Sequence, residues 1–162
     1  MPTRSPHATR PTYSTRRTFL ASGITAVAGL AATAPTVVAA SQPTAAEQAN
    51  IRVVRDFCAA WPSHDLDRIL SFFADSGSYR MTETMEPTKG REALVARIRM
   101  IINNVREFEV LDTWARGPMV VNERIDRFTN FQLTRWHGVG VFLLKDGKIV
   151  EWYDYTIASE RA

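Results

Sequence analysis

Residues 132–157 read QLTRWHGVGVFLLKDGKIVEWYDYTI. Two runs rich in β-branched and aromatic residues flank Asp146-Gly147, a pair that favours the two-residue hairpin turn. The stretch therefore predicts two long antiparallel strands, over 132–144 and 148–157. Upstream, MVVNERIDRF at 119–128 alternates in the same way, and Phe108, Val110 and Trp114 alternate with polar residues after Asn104. Nearer the N-terminus the period changes. Ile51, Val54, Phe57, Cys58 and Trp61 recur at three- and four-residue spacing, which is one helical face. Pro62 ends that helix, and Ser63 or Asp65 can cap a second carrying Leu66, Ile69, Leu70 and Phe73. Asp75-Ser76-Gly77 reads as a turn, 78–82 as a short strand and 83–89 as a loop containing Pro87. Gly90 opens a third helix with Leu94, Ile98, Ile101 and Ile102 on one side. Three helices followed by a run of antiparallel strands predict an α+β fold. The expected architecture is a cone-shaped, curved antiparallel sheet packed on three N-terminal helices and enclosing an apolar pocket, the usual kind of small-molecule site.

The chain of 162 residues is long enough for one domain. Its formal charge of +3 is unevenly placed. Arg4, Arg10, Arg16 and Arg17 are the only charged residues before Ser41, so the part after Ala40 carries 16 basic and 17 acidic residues. That part has no basic run that would follow a phosphate backbone, and nucleic acid is not an expected partner. The first forty residues resemble a twin-arginine export signal. An arginine-bearing region ends in STRRTFL at 14–20, an Ala/Gly-rich apolar stretch follows, and Val38-Ala39-Ala40 offers small residues for cleavage. Cleavage is expected after Ala40, since Pro35 disfavours a cut after Ala34. The apolar stretch is a poor permanent span, with an uncleaved anchor as the alternative. The expected organisation is a signal at 1–40, a polar linker at 41–47 and one domain at 48–162. The protein is then exported to the periplasm, the envelope or the medium, with no membrane association beyond the signal. Cys58, the single cysteine, falls on the apolar face of the first helix and reads as a buried thiol.

Strand parity singles out the polar residues. Val120, Asn122, Arg124, Asp126 and Phe128 share one face of their strand, and Val150, Trp152, Asp154 and Thr156 share one face of theirs. Each face sets charge among large apolar groups, and a buried ion is costly unless paired. A guanidinium has five donors and can serve two carboxylates. If the strands lie together, Asp126, Arg124 and Asp154 form a charged cluster in an apolar pocket. On spacing alone a solvated face or a plain ion pair is the commoner reading, and Glu123 and Arg127 on the opposite face fit that description.

The run Asn122-Glu123-Arg124-Ile125-Asp126 resembles the N/T-E-R-x-D motif of the limonene-1,2-epoxide hydrolase family. Residues 140–155, GVFLLKDGKIVEWYDY, resemble that family's C-terminal signature, and Phe72-Phe73-Ala74-Asp75 followed by Tyr79 resembles its opening. The likeness spans about residues 48 to 157. It implies the nuclear transport factor 2-like cone, shared with polyketide cyclase-like proteins, and a homodimer. It also implies one-step addition of water to a lipophilic epoxide, with neither cofactor nor metal. In that scheme Asp154 is the general base, Asp126 the general acid, Arg124 the bridge between them, and Tyr79 a holder of the water. Met81, Glu83, Trp152, Phe128 and Asn122 are the expected substrate-pocket residues. The resemblance departs at Met81, where the family has an asparagine that binds water. Glu83 or Thr82 supplies the missing contact if the loop folds inward; otherwise Glu83 is an exposed loop acid.

Other chemistry finds little support. His7, His64 and His137 lack metal-ligand spacing; His64 is expected in a solvated turn, and His137 is either a cavity residue or structural. Gly138-Val139-Gly140 lies inside a strand and lacks the third glycine and helix of a phosphate loop. Three functions therefore stand: an exported epoxide hydrolase, a cyclase or isomerase acting on a small hydrophobic molecule, and a non-catalytic ligand-binding module.

Overall fold

The computed structural model of the protein describes residues 42–130 and 132–161. The leader read over 1–40 and its cleavage point lie outside the described residues. The polar stretch at 41–47 runs into a helix cap. Thr44 Oγ1 accepts from the Glu47 N–H at 3.2 Å, and the Glu47 carboxylate accepts from the Thr44 N–H at 2.7 Å. This reciprocal box satisfies two N–H groups that a helix start leaves open. Helix α1 (Ala45–Ala60) follows and buries Val54, Phe57, Cys58 and Ala60. Trp61–Ser63 tighten into a 3-10 turn, and Asp65 caps α2 (Leu66–Ser71) by accepting from the Arg68 N–H at 3.0 Å. Helix α3 (Arg91–Ile102) buries Leu94, Ile98, Ile101 and Ile102, the four residues its spacing selects. No described helix is long and apolar enough to cross a membrane.

Six strands complete the fold: β1 (Phe73–Arg80), β2 (Thr88–Lys89), β3 (Val105–Arg116), β4 (Met119–Phe128), β5 (Leu133–Lys145) and β6 (Lys148–Arg161). They form one curved, unclosed sheet in the order β2-β1-β6-β5-β4-β3, with helices packed against it. Strands β3 to β6 are an antiparallel meander. Its last turn holds Asp146 and Gly147 at φ 52° and 72°, as a type I′ hairpin requires. The α+β class is as expected, but the sheet is mixed, because β1 runs parallel to β6. A chain that enters the sheet from helices is free to lie parallel to its neighbour; a tight hairpin is not.

Four local readings change. Asp75-Ser76-Gly77 is not a turn but part of β1, where the register to β6 jumps from Phe73 to Ser78. The Gly77 carbonyl accepts from the Gly90 N–H at 3.0 Å, which ties the irregular stretch to the start of α3. On β3 the register slips between Val105 and Glu107 and between Val110 and Asp112. Each slip shifts parity, so Phe108 and Thr113 face inward while Trp114 is exposed. A slip opposite Leu143 and Leu144 does the same on β6, and Ile149 replaces Val150 in the core. His64 sits at φ 54° and lies within hydrogen-bond distance of the Val105 carbonyl at 2.8 Å, so it is exposed yet tied to β3.

The core lies between α1 and the inner sheet face. The Phe57 ring meets Trp61, Phe73, Phe142 and Trp152 edge-on at centroid distances of 5.1 to 5.9 Å. Edge-to-face packing of this kind suits the ring quadrupole. This aromatic layer closes the narrow end of the cone and forms the floor beneath the polar residues.

Candidate active site

Beyond that floor the inner face of the sheet turns polar. β4 carries Asn122, Arg124 and Asp126 inward at alternate positions, and β6 carries Trp152 and Asp154. β5 separates the two strands and pairs with both: Gly140 stands opposite Asn122 and Asp154, and Gly138 opposite Arg124 and Thr156. Gly140 leaves the space through which Arg124 reaches across β5, and Gly138 leaves space for the Trp136 indole. A Cβ at Gly140 would collide with Arg124 Nη1 and come within 2.7 Å of Phe142 Cε2. Gly140→Ala is therefore expected to displace the guanidinium and cost ~1–3 kcal/mol of stability through overpacking, measurable as a drop in the unfolding midpoint.

Arg124 is fully buried and bridges two buried carboxylates. Its Nε donates to Asp126 at 2.9 and 3.2 Å, and its Nη2 donates to Asp154 Oδ1 at 2.9 Å. Aromatic faces surround it, with the centroids of Phe108, Trp136 and Trp152 at 4.9 to 5.4 Å from Cζ. The two carboxylates are unequally held. Asp154 accepts from Arg124, from Trp152 Nε1 at 2.7 Å and from the Tyr79 hydroxyl at 3.2 Å. Among the described residues, Asp126 accepts from Arg124 alone. Burial pushes the Asp126 carboxyl up to about 7, with the Asp154 charge adding to the rise and Arg124 opposing it. Burial also raises Asp154, against the combined pull of Arg124, Trp152 and Tyr79. Burial, then the Asp154 charge, lifts the Tyr79 phenol well above its ordinary value, so it keeps its proton and donates. Donors that point at a carboxylate favour its charged form. The arrangement thus makes Asp126 the carboxyl that holds a proton more readily and favours the charged form at Asp154. One shared proton also leaves the buried trio with no net charge, the cheapest state in a dry pocket.

Asp126, Asp154 and Tyr79 open onto a cavity of about 80 Å³ whose wall is otherwise apolar except for Thr82. Met81 and Phe128 line it. Three other expected pocket residues lie elsewhere. Trp152 is beneath the site, stacked on Tyr79 at 3.8 Å between centroids, and acts through its bond to Asp154. Asn122 is fully buried behind Arg124, donating to Thr113 Oγ1 at 3.0 Å and facing the Cys58 thiol at 3.8 Å. Parity put it on the right face, but α1 covers that depth of the cone. Glu83 turns outward to Thr156, so Met81 and Thr82 are the loop residues at the pocket wall. His137 faces outward and pairs with Glu123 at 2.8 Å rather than entering the cavity. Burial pushes the Cys58 thiol up to about 12, which keeps it un-ionised.

Trp136, whose sequence reading leaves core, pocket lining and dimer contact open, is a wall residue, as are Ile101, Phe108 and Leu133, which the sequence does not single out for the pocket. For Trp136 and Phe108 the signal was present in strand alternation. For Ile101 it was hidden, because an apolar helix face does not distinguish core from cavity. Among the described residues, no group of three or more His, Cys, Asp or Glu side chains could hold a metal ion.

Residues 54–152 match the SnoaL-like domain family, a span that includes Tyr79, Arg124 and Asp126 and ends two residues before Asp154. Among solved structures, the chain is similar to an LEH-like epoxide hydrolase from M. tuberculosis. Identity is 26%, over 68% of this chain and 84% of that one, with a TM-score of 0.60. The epoxide hydrolase/cyclase-like enzyme SalBIII, with a role in pyran ring formation in the polyether salinomycin, is 19% identical over 67% and 91% of the two chains, with a TM-score of 0.63. A Jannaschia sp. CCS1 protein assigned as a SnoaL-like polyketide cyclase is 14% identical over 73% and 92%, again with a TM-score of 0.63. The latter two show a shared fold.

Proposed function

We propose that this chain, which belongs to the SnoaL-like domain family, is an exported epoxide hydrolase of the limonene-1,2-epoxide hydrolase type that adds water to a lipophilic epoxide in one step. The observation that carries this reading is the unequal pair of carboxylates on Arg124: three donors hold Asp154, one holds Asp126, and both open onto an apolar cavity. An epoxide in that cavity has no polar contact to make except at its oxygen. Asp126 donates its proton to that oxygen as the C–O bond breaks. Asp154 takes a proton from the attacking water, which the Tyr79 hydroxyl helps to hold. The new C–O bond forms on the face opposite the leaving oxygen, giving a diol. Asp126 ends ionised and Asp154 protonated, and moving one proton between them restores the starting state. Arg124 keeps its charge throughout, since its two carboxylates raise its pKa despite burial. General acid–base groups of this kind contribute about 10²–10⁴ each in rate.

The test is isotopic. The purified protein, given terpene, styrene and cyclohexene epoxides in ¹⁸O-water, is expected to yield diol with one labelled oxygen. No diol from any of them, with the protein folded, would remove the hydrolase reading. Export is supported by the STRRTFL run and Val38-Ala39-Ala40. Ser41 as the N-terminal residue of protein recovered outside the cytoplasm is the matching outcome.

Met81 favours a second reading. It stands in the pocket wall two residues after Tyr79 and offers no hydrogen bond to a water. The same acid and base could then open an epoxide with a hydroxyl of the same molecule. Asp154 takes the hydroxyl proton, Asp126 protonates the epoxide oxygen, and a cyclic ether forms. A ring-closed product without label distinguishes it.

A further inference from the structure

Apart from the catalytic cluster, the segment of the pocket wall most open to change is the loop after β1. Met81 and Thr82 of this loop face the cavity, and Glu83 fastens the loop to the sheet. The Glu83 carboxylate accepts from the Thr156 N–H at 3.4 Å and from the Thr156 hydroxyl at 3.3 Å. A hydroxyl has one proton to give; once it points at Glu83, the oxygen's lone pairs are left for another donor. Trp136 Nε1 supplies it, donating to Thr156 Oγ1 at 3.0 Å. Three side chains thus connect the loop, β6 and β5.

The inner end of this chain is the catalytic wall. Trp136 stands opposite Asp126 in the strand register, lines the cavity, and holds its ring 4.9 Å from Arg124 Cζ. The indole lies back over Gly138, where a Cβ would collide with its six-membered ring. Gly138 in turn pairs with Thr156, which sets the hydroxyl beside the indole nitrogen. Room, hydrogen bond and cation therefore agree on one ring position.

We propose that Glu83 is a positioning and specificity-determining residue: through Thr156 it fixes the Trp136 indole over Arg124 and Asp126, and it holds Met81 and Thr82 in at the pocket mouth. Glu83 is exposed, so its removal leaves the core untouched. What is lost is the tie between a solvent-facing loop and the sheet, and such segments open at little cost. The specificity half of the proposal rests on the hydrolase reading; the positioning half does not.

The indole proton of Trp136 reports on the latch in protein without substrate. In ¹⁵N-tryptophan-labelled protein, Glu83→Ala and Thr156→Val are each expected to speed exchange of that proton by about tenfold or more. Glu83→Gln keeps an acceptor and stays near wild type. In turnover, Glu83→Ala is expected to raise the kcat/KM ratio for a bulky over a small epoxide by about tenfold, mainly through KM. Unchanged indole exchange in both Glu83→Ala and Thr156→Val would overturn the proposal. Faster exchange with an unchanged ratio would overturn its specificity half. If the wild type opens no epoxide, the hydrolase reading fails, while the exchange result still decides whether Glu83 positions Trp136.

Discussion

Asp154→Asn and Asp126→Asn are each expected to lower kcat/KM by about 10²–10⁴ while leaving a folded protein. The reasons differ at the two positions. Asparagine at 154 keeps an oxygen for Arg124 and Trp152 but cannot take a proton from water. It also leaves Arg124 with one carboxylate, so Asp126 becomes the ion that neutralises it and ceases to be an acid. Asparagine at 126 leaves the base ionised and removes the acid. Because one proton is shared, the losses do not multiply in the double variant, which behaves like the worse single one in turnover. The same proton sets the pH profile. The proposed reaction needs Asp126 protonated and Asp154 ionised, so kcat/KM is expected to fall as pH rises through about 7, where Asp126 loses its proton. It falls at the acid end as Asp154 gains one, above the ordinary aspartate range. Stability follows the proton too. The folded protein keeps the Asp126 proton up to about 7, whereas the unfolded chain releases it near 3.8. That contribution is complete below 3.8 and is lost as pH rises through 7. Urea unfolding from pH 5 to 9 measures it, and Asp126→Asn should flatten the decline.

Arg124→Met is expected to be the most damaging single change to the fold, at ~3–5 kcal/mol. Methionine fills much of the volume and suits the surrounding aromatic rings, so the loss is electrostatic. Two carboxyls are left buried without their cation, and each must keep its proton to stay inside. Raised pKa values again favour the folded state only at low pH, so the deficit should widen as pH increases. Arg124→Lys is not expected to restore the wild type. A single ammonium cannot place separate donors on Asp126 and Asp154 as Nε and Nη2 do. Chemical denaturation at pH 5 and pH 8 separates the two variants from the wild type. An Arg124→Met protein as stable as the parent at pH 8 would mean that the cluster does not carry charge in the way described.

Much of the site could be read before the fold was known, and the reason is period two. In β4 the alternation from Val120 to Asp126 survives unbroken, so a glance at the sequence puts Arg124 and Asp126 on one face. Trp152 and Asp154 follow the same rule. What could not be read are the positions where the register slips. Trp114 and Val150 were assigned by a parity that irregularities had already reversed. Asp75-Ser76-Gly77 has turn-forming residues, yet β6 and the Gly90 N–H hold it in the sheet, a tertiary override that no local pattern records. Glu83 and Asn122 show a different limit. Parity and loop position give a direction, but depth along the cone depends on what covers it. Gly138 and Gly140 were read only for a phosphate loop they cannot make; their use, space for an indole and a guanidinium, is visible only with both neighbours in place.

The parallel pairing of β1 with β6 also orders events in time. Tyr79 meets Asp154 across 75 residues of chain. Helices and hairpins close short loops and form within microseconds, whereas a contact of this span must first meet a large loss of chain freedom. The β3–β6 meander can bring Arg124 to both carboxylates before β1 arrives. A refolding molecule is therefore expected to acquire most of its strands, its helices and its buried ion cluster before the Tyr79–Asp154 contact forms. In this order the candidate site is complete only when the strand that carries Tyr79 docks.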